Sequence, residues 1–129
     1  RKKMKTDKER KRQQVQREFG ENVKWIESLP ELDLKNAEAV KKRISEYFDY
    51  CLKKHIVLSV TGLCAALGVD RRTFEYWQCG YYRPDLYRIS RCAKTFICAY
   101  WELRAAESIG KTDVFGIYML KNLHSGYNN

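Results

Sequence analysis

Nowhere does the chain hold an apolar run long enough to cross a bilayer. Its first residues are charged and no apolar stretch follows them, so no signal peptide is expected. Histidine is scarce, with only His55 and His124, and the five cysteines (51, 64, 79, 92 and 98) form no CxxC pair. No zinc site is therefore expected, and no other metal or cofactor is assigned. The odd, scattered cysteine count suits free thiols in a reducing compartment, with Cys51, Cys64 and Cys98 on inward helical faces. A glycine-rich phosphate loop is also missing, since Gly110 and Gly116 stand isolated. Glu31, Asp33, Glu38, Glu46 and Asp49 read as helix surface and caps rather than as a magnesium cluster. No nucleophile or acid–base pair emerges, so no catalytic residue is assigned and an enzyme is not expected. No run alternates with period two, which leaves an all-α fold as the expected class.

What is abundant is positive charge. The chain of 129 residues carries +9, from 25 basic and 16 acidic side chains. Residues 1 to 12 hold eight basic side chains against Asp7 and Glu9. A concentrated basic arm attracts a polyanion by counterion release, without regard to base sequence. A solvated, frayed helix start fits the same residues. Lys2, Lys3, Lys5, Arg10 and Arg12 are the arm's candidate phosphate contacts.

The segment VTGLCAALGVDRRTFEYWQ, residues 60 to 78, reads as a helix-turn-helix. Leu63, Cys64 and Leu67 sit at helical spacing and end at Gly68; Phe74 and Trp77 then give the second helix an inward stripe. Asp70, Arg71, Arg72, Thr73, Glu75 and Tyr76 are left facing out. Such a polar, partly basic face suits a DNA major groove; an ordinary helical corner is the alternative. Arg71 and Arg72 are expected to contact phosphate or guanine edges, since the guanidinium fork matches two acceptors. Thr73 and Tyr76 share their face. Thr61 is expected to cap the first of the two helices and to approach a phosphate.

Around this segment the periodicity predicts further helices. Residues 5 to 28 carry a thin stripe of Val15, Phe19, Val23 and Ile26, weakened by Gly20, which needs a partner on the domain or on another subunit. Leu29-Pro30 ends that segment. A core helix follows, capped by Asp33 or Asn36, with Val40, Ile44, Tyr47, Phe48, Cys51 and Leu52 inward and Lys41, Lys42 and Arg43 mostly on the other side. Tyr81, Tyr82 and Arg83 form a loop that either covers a core edge or touches sugar and phosphate. A long helix from Asp85 to about Ser108 places Leu86, Ile89, Ala93, Phe96, Ile97, Tyr100 and Leu103 on one stripe, widened by Cys98, Trp101 and Ala105. It is apolar on more than one side, which points to subunit packing. Phe96, Tyr100 and Trp101 are the candidate contacts, joined by Ile117 and Leu120 of a last helix over about 112–123. Asn122 either caps that helix, with Lys121 neutralising its end, or meets a neighbouring subunit. The reading divides the chain into a basic arm (1–30), a helix-turn-helix domain (31–84) and a helical oligomerisation segment (85–129).

The order of parts carries more than any one of them. EYFDYC precedes SVTGLCAALGVDRRTFEYW; a helix containing RCAKTFICAYWE follows, then GIYMLKN and the pair Gly126-Tyr127. Over residues 44 to 127 this resembles a small terminase subunit, the DNA-packaging protein of tailed bacteriophages. The resemblance implies a non-catalytic protein that assembles into a homo-oligomeric ring in the host cytoplasm. It implies binding to a packaging-initiation site on double-stranded viral DNA, and recruitment of the large subunit that carries the ATPase and nuclease. A dimeric helix-turn-helix transcription regulator is the first alternative. An adaptor whose helix-turn-helix no longer reads DNA is the second.

Overall fold

Thr6, Asn36, Ser59 and Asp70 each place a side-chain oxygen where a run of backbone amides would otherwise lack acceptors, and a helix starts after each. The computed structural model describes residues 6–107. These form α1 (Asp7–Ser28), α2 (Ala37–Lys54), α3 (Val60–Leu67), α4 (Arg71–Trp77) and α5 (Pro84–Glu107), with no strand among the described residues. The chain is all-α over that range. Thr6 and Glu9 make a reciprocal capping box, while Asn36 accepts from the amides of Glu38 and Ala39 at 3.1 and 3.2 Å. At the other ends, His55 and Gly68 turn left-handed, at φ 57° and 74°. Pro84 opens α5, where its missing N–H costs no helical hydrogen bond.

α2 is the spine. Its Tyr47 hydroxyl donates to the Ser59 carbonyl (3.3 Å) and accepts the Ser59 amide (3.1 Å), fixing the start of α3. One helical turn earlier, Arg43 donates to the Ala66 carbonyl at the end of α3 (2.8 Å) and to the Pro30 carbonyl (2.7 Å). The two helices are thereby held antiparallel at both ends. Val40, Tyr47, Cys51, Leu63, Leu67, Phe74, Leu86 and Ile97 fill the space among α2, α3, α4 and α5 and are fully buried. The α5 ring of Trp101 closes this core, with Nε1 donating to the Leu58 carbonyl at 3.0 Å. α1 stands apart: none of its residues is buried. It is attached by Trp25 stacked on Tyr50 (4.3 Å, 6°) and by the Tyr50 hydroxyl donating to the Glu21 carbonyl.

Several expectations change here. Ser59, not Thr61, caps α3, because its hydroxyl is the one that reaches the Gly62 amide, at 2.9 Å. Arg43, expected with the solvated lysines, is buried, because its long stem lets the guanidinium reach two carbonyls across the core edge. Leu52, expected inward, is 58% exposed. Along α5 the stripe drifts off the core: Phe96 and Leu103 are exposed, while Ser90 and Lys94 are buried in their place. Trp101, expected at a subunit contact, is 2% exposed within the single chain and belongs to its own core. The last helix over 112–123, with Ile117 and Leu120, and the arm residues Lys2, Lys3 and Lys5 lie outside the described residues.

At Gly62 the backbone of α3 lies hard against Tyr47 of α2. A Cβ there would overlap the Tyr47 hydroxyl and lie 2.8 Å from Ser59 Oγ. Gly62→Ala should therefore destabilise the protein by about 1–3 kcal/mol, although alanine is the better helix former. Denaturant unfolding of the two proteins measures the difference.

Candidate nucleic-acid interface

α4 has only seven residues, too few to persist unsupported, so its placement comes from its surroundings. The Asp70 carboxylate accepts the Thr73 amide at 2.8 Å, which ties down the first turn. That bond, followed by the attraction of Arg72, holds the Asp70 carboxyl below the usual carboxylate range. Phe74 and Trp77 pack edge to face at 6.1 Å and are 0% and 4% exposed. With this pair locked inward, the helix cannot rotate. Arg71, Arg72, Glu75 and Tyr76 are consequently exposed, and Thr73 is half-buried beside its cap.

The structure thus brings Arg71, Arg72 and Tyr76 to one outer face, with Thr73 at its margin. Arg71 Nε lies 3.4 Å from Glu75, but both side chains are half in solvent, so the pair is weak and breakable. Arg72 makes no ion pair among the described residues. Thr61 is exposed on the first turn of α3. Arg10 and Arg12 are exposed on α1, Arg10 beside Asp7 at 3.5 Å, and form a separate cationic element.

α5 adds residues that the apolar stripe concealed. Lys94 is 5% exposed and sits in the electrostatic reach of Arg71, Glu75 and Arg91. Burial first, then Arg71, pushes its ammonium below the ordinary lysine value, with Glu75 opposing. Arg91 lies over the Tyr87 ring at 5.3 Å and donates to the Tyr87 hydroxyl at 2.7 Å. A cation buried next to two others lowers stability, and such arrangements cluster at functional sites. A reading that weighs only apolar spacing overlooks Arg91 and Lys94; three residues apart on one helix, they share a face.

Tyr81 and Tyr82 cover no core edge: they are 92% and 76% exposed. Arg83 is structural: it donates to the Leu34 carbonyl at 2.7 Å and grips Asp85 through two bonds of 3.0 and 2.9 Å. The buried Cys51 and Cys64 thiols are pushed up to about 11 by desolvation and stay protonated, hence unreactive. Among the described residues no three His, Cys, Asp or Glu side chains come together as a metal-binding group, and no helix is long and apolar enough to cross a membrane. No family model, curated protein or solved structure matches the chain.

The buried ammonium has a measurable signature. Because folding depresses the value of Lys94, the unfolded chain binds its proton more tightly. Stability therefore rises as pH climbs from the folded-state value toward the ordinary lysine value of about 10.4. Lys94→Met should raise the melting temperature at neutral pH and flatten that alkaline rise, as thermal melts at pH 7 and pH 10 would register.

Proposed function

We propose that this chain is the DNA-recognition subunit of a phage packaging motor, a small terminase subunit. In this reading it binds the initiation site on double-stranded viral DNA, assembles as a homo-oligomeric ring, and recruits the large ATPase and nuclease subunit in the host cytoplasm. It does no chemistry itself. The observation that carries the DNA part is the outer face of α4, where Arg71, Arg72 and Tyr76 stand exposed, with Thr73 half-buried beside them, on a helix locked by Phe74 and Trp77. With its side chains an α-helix is about 10–12 Å across, which the major groove of about 12 Å admits. Arg71 and Arg72 are the base or phosphate readers, and Arg91 with Lys94 adds positive potential behind them. The packaging role rests on the resemblance of residues 44 to 127.

Assembly is supported by apolar side chains left in water. Phe96, Leu103 and Leu52 are 60%, 67% and 58% exposed, and on α1 Val15 and Phe19 are 64% and 70% exposed. Phe96 meets Phe48 at its edge, at 6.4 Å, and Tyr100 is half-buried nearby on α5. Surfaces of this kind are covered in stable assemblies, and a ring multiplies the weak contacts of each reading helix.

Arg71→Ala combined with Arg72→Ala should weaken binding to the cognate duplex by about 1–3 kcal/mol for each arginine that reads a base. Unchanged affinity in a fluorescence titration would remove α4 as the reader. Arg10→Ala with Arg12→Ala should instead lower the salt slope by about 0.9 for each phosphate no longer neutralised, with little effect on sequence preference. The mass of the purified protein in solution separates the assemblies: a closed ring supports the packaging reading, whereas a dimer favours a transcription regulator reading a two-fold site.

A further inference from the structure

We propose that Tyr76, Tyr81 and Tyr82, with Tyr87 and Arg91 beside them, form a stacking surface for unpaired nucleotides at the edge of the duplex site. This rests on the reading of α4 as a DNA-facing helix and adds a second state of the nucleic acid to it.

Folding normally withdraws tyrosine rings from water, yet three within seven residues are left out. Tyr81 is 92%, Tyr82 76% and Tyr76 50% exposed. The rings are nevertheless placed. Tyr82 stacks on Tyr76 at 5.9 Å and 20°, which aligns the loop ring with the end of α4. Gly80 turns the chain at φ 82°, and Tyr87 packs against it, with Cδ2 3.5 Å from where a Cβ would stand. Arg83 then anchors the end of the loop to the Leu34 carbonyl and to Asp85. The loop is therefore held between α4 and α5 with its rings turned to solvent.

The surrounding charge selects the partner. The acids on α4 and the loop are engaged, Asp70 with the Thr73 amide, Glu75 in an exposed pair with Arg71 and Asp85 with Arg83. Arg72 is exposed, and Arg91 stands over Tyr87. No Leu, Ile, Val or Met side chain is exposed between residues 76 and 88, so the patch lacks what a protein groove usually engages. Aromatic faces interleaved with guanidinium groups match base faces and phosphates. A paired duplex keeps its base faces inside its own stack, so rings that seek a face partner require bases that have left it.

The test uses the full chain and two labelled probes of equal length, one fully paired and one with a central bubble of mismatched thymines, titrated by fluorescence anisotropy. The wild type should prefer the bubble by about 5-fold or more, the effect of a single stacked base. Tyr81→Ala with Tyr82→Ala should abolish that preference and leave paired-duplex affinity and the melting temperature unchanged. Tyr81→Phe with Tyr82→Phe should keep it, since stacking needs the ring and not the hydroxyl. Equal affinity of the wild type for both probes, or a bubble preference that survives the alanine pair, overturns the inference while the duplex reading stands. Binding to the bubble with none to the paired probe, over a range of duplex sequences, would instead support the stacking surface and remove the duplex reader.

Discussion

The architecture depends on the grip of α2 on α3. Tyr47 and Arg43 are one helical turn apart and bind the two ends of an eight-residue helix through backbone atoms. Backbone contacts of this sort are indifferent to the side chains of α3, so they set its position and leave its outer face free to vary. They also demand close approach, which Gly62 supplies by having no side chain at the contact. The Arg43 bond to the Ala66 carbonyl is buried and the Tyr47 bonds are partly so, and removing either side chain would leave its backbone partners without compensation. Once α3 is placed, the left-handed Gly68 and the Asp70 cap determine where α4 begins.

α4 inherits its orientation from that chain of constraints. It owes little to its own length and much to Phe74 and Trp77, which anchor it to the core from one side. The opposite face keeps cations that contribute little to folding, Arg71 making only an exposed and weak ion pair with Glu75. Lys94 shows this most clearly, since a methionine would fill the same space without the desolvation penalty. Burying that charge lowers stability, an arrangement that clusters at functional sites.

Elements with strong periodicity were legible from residues alone. The stripe of Val40, Ile44, Tyr47 and Cys51 marked α2, and the Gly68 stop with Phe74 and Trp77 marked α3 and α4. What escaped was decided by reach rather than by spacing. Ser59 and Thr61 are equally plausible caps by residue type; only the path of the chain shows which hydroxyl meets an amide. Arg43 sits beside two lysines in sequence, and nothing local distinguishes the one whose stem crosses the core edge. Phe96 and Leu103 share the apparent stripe of α5, but the buried face of the helix runs through Leu86, Ser90, Ala93, Ile97 and Trp101, and both side chains lie to one side of it. Of the candidate site, the exposure of Arg71, Arg72 and Tyr76 followed from helical geometry, whereas Lys94 required knowing that α5 passes behind α4. The tyrosine loop gave no periodic signal at all.

The attachment of α1 has an electrostatic consequence. The helix is moored on Tyr50 from the Glu21 carbonyl to the Trp25 stack, and Arg10 lies about 16–22 Å further along the axis at about 1.5 Å per residue. The Debye length at physiological ionic strength is about 8 Å. Along its own axis the tip of the helix is thus separated from its mooring by between two and three screening lengths. The tip's cations and the charges around that mooring hardly feel one another. The tip titrates its counterions independently, as an outrigger whose attraction for a polyanion can be tuned by substitution without disturbing the field or the packing of the body that carries it.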